Sequence, residues 1–341
     1  MEVYYPHYYK DFSCIASRCP DSCCQEWDVQ VDADSAARYR SLPGQLGDDL
    51  RRVLKDLEGE TVMTIVDRRC PMWRSDGLCR IQAELGEEAL CKTCREFPRL
   101  THDYGDFIER GLELSCPEAA RIILTAPDAP ATVEAVPGGM EPEYDTEAMA
   151  VLLRTREAVL DILRDDNRPV NKSLAAALLY GYQAQGELDG DEAQPFDPEA
   201  ALDSVREFIK VPDIRELPDF YAGLEILTGE WQERLEAPAP GRWTGEFRKL
   251  ARYFVERYWL QAVSDYDLYC RVKFMIVSCI LIRNLGGQLL RTAQLYSKEI
   301  ENSVDNVEAL LDAAYSHPAF TDDKLLGILL AQNRNSLSAG R

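Results

Sequence analysis

The segment CIASRCPDSCC, residues 14–24, places four cysteines within eleven residues. Nine of the chain's 11 cysteines lie between Cys14 and Cys116, and the other two are Cys270 and Cys279. A group this dense can provide metal ligands, disulfides or a catalytic nucleophile, and the segment alone leaves all three open. The surrounding sequence narrows the choice.

The length and composition make disulfides unnecessary for folding. The chain has 341 residues, of which 46% are hydrophobic, so it can bury a substantial core. It has no run of about 18 uncharged apolar residues, which predicts no membrane span. The start, MEVYYPHYYKDFSC, lacks the basic and apolar regions of a signal peptide. We therefore predict a cytoplasmic protein with reduced thiols, in which many cysteines indicate metal binding.

The charge argues against one class of partner. The net charge is −21 and the isoelectric point is near 4.6. Nucleic-acid binding requires basic patches that neutralise phosphates, so we predict no nucleic-acid partner. An acidic surface attracts lysine-bearing proteins, although it also serves solubility alone.

The chain divides by composition into three parts. Residues 1–125 are mixed, with predicted helices at VDADSAARYRSLPG (31–44) and GDDLRRVLKDLEGE (47–60) and short strands at TVMTIVD (61–67) and DFIERGLELSC (106–116). Residues 126–145 are rich in proline, glycine and acid, which indicates a linker. Residues 146–341 show helical periodicity, with NLGGQ (284–288) predicted as a packing or kink site inside it. The predicted fold is mainly α: a small cysteine-rich metal-cluster domain with few short strands, then a helical bundle.

The cysteine spacing favours a metal centre ligated by thiolates. Cys91-Lys-Thr-Cys94 has the two-residue spacing that lets two thiolates bind one metal. The chain has only 3 histidines, so an all-cysteine site of zinc or an iron–sulfur cluster fits best. For the same reason a nucleophilic cysteine with a histidine base is disfavoured. The candidate ligands are Cys14, Cys19, Cys23, Cys24, Cys70, Cys79, Cys91, Cys94 and Cys116. Cys270 and Cys279 lie in an apolar helical stretch and are predicted to be core residues.

Common signatures of nucleotide and donor binding are missing. The sequence has no P-loop and no glycine-rich turn that follows a strand and opens a helix. Cys19 and Cys23 are separated by three residues, but Cys24 follows at once, so the radical S-adenosylmethionine spacing fails.

Several blocks nevertheless resemble a known family, the flagellin lysine N-methylases. In the cysteine-rich part these blocks are FSCIASRCPDSCCQEWDVQVD (12–32), RCPMW (69–73), GLCRIQAELGEEALCKTCREFPR (77–99) and LELSCPEAAR (112–121). In the helical part RTAQLYSKEIENSVDNVEALLDA (291–313) is similar to the C-terminal segment of that family. The cysteine blocks are the more specific of the two, and their domain is similar to cysteine-rich zinc- or iron-chelating domains.

The resemblance implies an enzyme that methylates lysine ε-amino groups of flagellin with S-adenosylmethionine. It also implies an iron–sulfur cluster of the [4Fe–4S] type, with zinc as the alternative, bound through the cysteines of these blocks, Cys91 with less support than the others. No catalytic residue follows from it. Tyr8 and Trp27 are candidates for contacting the donor's sulfonium through their aromatic faces, although they could simply cover the cluster. Two other functions stay open: a non-catalytic zinc- or iron-binding scaffold, and a redox or electron-transfer protein.

Overall fold

The computed structural model describes residues 1–25, 29–57, 59–207, 209 and 215–330. It confirms a mainly α fold with a few short strands in the cysteine-rich region. None of the described helices is both long and apolar enough to cross a membrane. The strands are β1 (Glu2–Tyr5), β2 (Val29–Gln30), β3 (Leu54–Leu57), β4 (Glu60–Met63), β5 (Arg99–Asp103), β6 (Phe107–Leu112) and β7 (Thr132–Ala135). The helices are α1 (Ala33–Ser41), α2 (Gly44–Val53), α3 (Arg80–Leu85), α4 (Lys92–Glu96), α5 (Pro117–Thr125), α6 (Thr146–Arg164), α7 (Val170–Leu188), α8 (Pro198–Val205), α9 (Glu216–Ala222), α10 (Gly229–Glu236), α11 (Glu246–Tyr258), α12 (Leu268–Leu285), α13 (Leu289–Tyr296), α14 (Val304–Ser316) and α15 (Asp322–Leu330).

A four-stranded sheet joins the start of the chain to the segment predicted as a linker. Its order is β5–β6–β1–β7, with β1 parallel to β6 and antiparallel to β7. β7 lies inside residues 126–145, so this segment is not an open linker throughout. Its β-branched residues, Thr132 and Val133, suit an edge strand, and β1 supplies the backbone partners that the composition of the segment does not reveal.

A second, three-stranded sheet has the order β2–β4–β3. The strand predicted in TVMTIVD is present as β4, but the helix predicted over residues 47–60 ends at Val53. Leu54–Leu57 forms β3 instead and pairs with β4, with Leu54 opposite Met63. Both of these side chains are buried, and Gly59 has a φ of +91° that suits a tight turn. Pairing with β4 thus outweighs the local helical preference.

The structure has two hydrophobic cores, and their boundary does not coincide with the boundary that the composition suggests. The smaller core runs from Val29 to Cys91 and has Cys24, Cys79 and Cys94 packed at its edge. The larger core contains Val3 and Ile123 together with the helices up to Leu329. The four-stranded sheet and α5 therefore pack with the helical bundle and not with the small core, because their apolar faces have no other cover. The composition changes at residue 125, but the segments on both sides of it pack into the same larger core.

Helix α12 lies at the centre of the bundle and is buried on all sides, as its apolar sequence requires. Cys270 and Cys279 are buried in it as core residues. NLGGQ, in contrast, breaks the helix. α12 ends at Leu285, and Gly286 has a φ of +65°. A Cβ at this position would lie 1.9 Å from the carbonyl oxygen of Ala239, so the break is also a point of close backbone packing.

Candidate functional site

The predicted metal-binding cysteines lie together at the edge of the small core. The thiol of Cys24 forms hydrogen bonds with those of Cys23, Cys70 and Cys79. The backbone N–H of Cys70 donates to the carbonyl of Cys24 at 2.7 Å, which holds two distant segments side by side. Isolated bridges between Gln25 and Arg69 and between Trp73 and Cys79 extend this pairing.

The Cys91–Cys94 pair forms a turn beside that group. Cys91 is the N-cap residue of α4, Cys94 lies in the same helix, and their thiols are hydrogen-bonded. This bond, opposed by burial, lowers the pKa of Cys91 to about 7. Cys94 is close enough to Cys23 and Cys79 to interact with them electrostatically. The two-residue spacing thus gives a turn that holds both thiols together, and their role as metal ligands stays a prediction.

The remaining three cysteines complete the same neighbourhood. Cys19 interacts electrostatically with Cys14 and Cys23, and Cys116, the N-cap residue of α5, interacts with Cys19 and Cys23. Burial is the main cause of the raised pKa of Cys116, which is about 12. Among the described residues, however, no group of three or more cysteine, histidine or acidic side chains is arranged to hold a metal ion. These cysteines are reduced thiols that contact one another, so the ligand set stays a prediction.

Asp21, inside CIASRCPDSCC, ties the cysteine segment to the helical bundle. Its carboxylate accepts a hydrogen bond from Gln294 at 2.9 Å and pairs with Lys298 at 3.2 Å and Arg291 at 3.4 Å. Burial opposes ionisation of Asp21, but Lys298 and the hydrogen bonds outweigh it and hold the pKa below the usual value. Gln294 also donates to the carbonyl of Ser115 at 2.8 Å, next to Cys116. The C-terminal block that resembles the family therefore contacts the cysteine segments directly.

That block also contains a π-helical turn, Ser297–Glu301, whose residues are all buried. Single π-turns often occur at functional sites because they redirect side chains. Lys298 contacts Asp21, while Glu301 accepts hydrogen bonds from the hydroxyls of Tyr253 at 3.0 Å and Tyr258 at 2.8 Å. Glu301 also pairs with Arg257 at 3.1 Å. The turn thus links the cysteine segment to helix α11.

A cavity of about 530 Å³ lies where α6 and α11 face the four-stranded sheet. Tyr253 and Arg257 line it, so the network around Glu301 forms part of its wall. The tyrosine-rich start of the chain lines it as well, including Tyr8, one of the two predicted donor contacts. Burial strongly raises the pKa of Tyr8, so this residue presents a neutral ring. Trp27, the other candidate, lies outside the described residues.

Two histidines that the sequence analysis leaves without a role also line this cavity. The Nε2 atoms of His7 and His102 are buried and have no hydrogen-bond partner among the described residues. Burial, aided by the nearby charge of Arg257, lowers the pKa of His102, so its imidazole is neutral near pH 7. The cavity was not predictable from spacing, because strands β5 and β6 and helices α6 and α11 build it across long sequence distances.

Comparisons with known proteins support the resemblance. The chain is 35% identical over 136 residues to the flagellar biosynthetic protein FliU of Salmonella muenchen; the match covers 38% of this chain and 80% of FliU. The chain belongs to the FliU and lysine-N-methylase family. Lysine-N-methylases of Salmonella choleraesuis and Salmonella typhimurium are also 35% identical over 136 residues, which is 38% of this chain.

The match spans about a third of the length of those lysine-N-methylases, 34% in both. No family model and no solved structure matches the chain. Family membership therefore rests on these relatives. The match covers only part of the chain, so the activity of the whole chain is proposed and not shown.

Proposed function

We propose that this protein transfers methyl groups from S-adenosylmethionine to lysine ε-amino groups of flagellin. The observation that carries the proposal is membership of a family that contains FliU and lysine-N-methylases. The net charge of −21 supports it, because it attracts a lysine-bearing protein. The cavity supports it as well, since aromatic rings and two histidines with unpaired nitrogens line one cleft.

The reaction is a displacement at the methyl carbon. The neutral ε-amine attacks that carbon, the carbon–sulfur bond breaks, and its electron pair stays on sulfur, which leaves as a thioether. The amine must first lose a proton, because an ammonium has no lone pair to attack with. His102 lines the cavity with a neutral imidazole, and it can accept this proton once its ring turns to expose the unpaired, buried Nε2.

We further propose that the cysteines hold an iron–sulfur cluster. Cys23, Cys24, Cys70 and Cys79 match such a cluster in number and donor atom, and their thiols already adjoin one another. The thiols would turn from their mutual hydrogen bonds toward a common centre. When bound, the cluster would cross-link three separate segments at the edge of the small core, in addition to the backbone bonds that already join them.

Metal analysis of protein purified without oxygen tests the cofactor. About four irons and four acid-labile sulfides per chain, with broad absorption near 400 nm, would support the cluster. Zinc without sulfide would replace it with a structural zinc site. A redox role would require reversible reduction of the cluster at an accessible potential.

Methyl transfer tests the function. The protein, purified without oxygen, is incubated with flagellin and donor carrying a labelled methyl group. We expect label on flagellin lysines, at a rate that falls at least tenfold in His102→Gln. No label from protein with a full metal complement would refute the proposal and leave the scaffold function as the better account.

A further inference from the structure

We propose that the cavity between the four-stranded sheet and helices α6 and α11 is the binding site for the methyl donor. This inference rests on the proposed function and adds the location and chemistry of the donor site, which no relative's name provides. The cavity volume, about 530 Å³, lies within the range of sites that bury a single small molecule of nucleoside size.

The charges on the cavity wall fit a zwitterion. The amino-acid end of the donor carries a carboxylate and an ammonium, and the wall carries groups of both signs. Arg156 of α6 pairs with Glu109 of β6 at 2.8 Å, and the two side chains are 13% and 14% exposed. Arg252 of α11 lies 3.5 Å from Glu256. In each pair the arginine can contact the carboxylate of the donor and the glutamate can contact its ammonium, at a site partly shielded from water.

The same wall is rich in arginine. It carries five arginines and four carboxylates, although the chain as a whole has a net charge of −21. The wall therefore holds more arginines than expected in so acidic a chain, and an arginine can contact the carboxylate of the donor. The arginines are Arg110, Arg156, Arg164, Arg252 and Arg257; the carboxylates are Glu109, Asp128, Glu157 and Glu256.

The aromatic and imidazole groups fit the rest of the donor. Tyr5 and Tyr8 are almost fully buried and line the cavity, so their rings can face a sulfonium or an adenine. The unpaired Nε2 atoms of His7 and His102 show that the protein itself leaves polar groups of this wall unsatisfied. Both atoms are buried behind the cavity surface, so rotation of either ring would bring an unsatisfied nitrogen to a polar ligand.

Gly111 offers a way to fill the cavity without removing any of these groups. It lines the cavity in β6, two residues from Glu109 and therefore on the same face of the sheet. A Cβ there would meet only the Cβ of Leu100, at 4.0 Å, so a side chain is tolerated by the backbone. Gly229 is the matched control, because it opens α10 away from this cavity and has nothing within 4 Å of an added Cβ.

The test is calorimetric titration of the full chain with S-adenosylhomocysteine, the product form of the donor, which cannot react. We expect binding by the natural protein and by Gly229→Leu, and at least tenfold weaker binding by Gly111→Leu. Arg156→Gln is a second variant, and it should lose about tenfold through the carboxylate contact. Thermal melting and metal content identify any variant that fails to fold.

Two results would overturn the inference. Unchanged affinity in folded Gly111→Leu and Arg156→Gln would place the donor elsewhere, while methyl transfer by the natural protein would leave the proposed function standing. Absence of both ligand binding and methyl transfer in the natural protein would overturn the function itself. The two failures are therefore distinguishable.

Discussion

Lys298→Met tests the contact between the cysteine segment and the helical bundle. The Lys298 ammonium and the Asp21 carboxylate lie 3.2 Å apart, and both side chains are 8% exposed. At an effective dielectric constant of about 20 their attraction is roughly 5 kcal/mol, most of which offsets the desolvation of the two ions. Removing only the cation leaves a buried carboxylate, but Gln294 and Arg291 still contact it. We therefore expect a loss of about 2–3 kcal/mol in the free energy of unfolding.

Denaturant unfolding measures this loss, and hydrogen exchange locates it. Protection of backbone amides from hydrogen exchange should fall in residues 14–24 and in α13 before it falls in α12. Lys324→Met is the control. Lys324 pairs with Glu216 at a more exposed site, so this substitution should lower the free energy of unfolding by less than about 1 kcal/mol. Combining Lys298→Met with Asp21→Asn should cost less than the sum of the two single changes, by about 1–2 kcal/mol. A loss below about 0.5 kcal/mol, or strict additivity, would refute the reasoning.

Three further changes test other parts of the structure. Glu301→Gln leaves Arg257, whose side chain is only 11% exposed, without its closest carboxylate, so unfolding should become easier by about 3 kcal/mol in chemical denaturation. Gly286→Ala places a Cβ 1.9 Å from a backbone carbonyl oxygen, and should lower the melting temperature far more than Gly229→Ala does. Asp32 accepts a hydrogen bond from the backbone N–H of Lys92, which lowers its pKa to about 2. The advantage of Asp32 over Asp32→Asn should therefore be complete above about pH 4 and disappear as the pH falls toward 2 in urea titrations.

Each of these expectations has a contrary outcome. A stable Glu301→Gln variant would mean that water or Glu113 compensates Arg257 fully, since Glu113 lies 3.6 Å from it. Equal melting of the two glycine variants would contradict the close approach at Gly286. A stability difference at Asp32 that persists unchanged to pH 2 would show that ionisation of its carboxylate contributes nothing.

The features that can be predicted from the sequence are those that depend on residues close together along the chain. Cys91 and Cys94 are three residues apart, so their shared turn follows from local geometry. The helical bundle follows from periodic apolar residues. Strand β7 and the end of α2 at Val53 depend on pairing with β1 and β4, which composition does not reveal.

The contacts at the candidate site could not be predicted either, because they join residues far apart in the sequence. Asp21 and Lys298 are 277 residues apart, and the fold brings their side chains together across the two parts of the chain. His102 and Glu301 are ordinary residues in the sequence; only the fold shows that both side chains are largely buried and that Glu301 has several polar partners. The resemblance of residues 12–32 and 291–313 to the family pointed to Asp21, Lys298 and Glu301 but not to His102, and it did not indicate what these residues contact.

The most direct test of the central claim is tandem mass spectrometry of flagellin after incubation with S-adenosylmethionine and this protein, purified without oxygen. The account predicts methyl groups on lysine ε-nitrogens, and none when the protein is omitted or when Cys24, the thiol that contacts three others, is replaced by serine. Unmodified lysines after incubation with protein that contains its metal and binds the donor would contradict it.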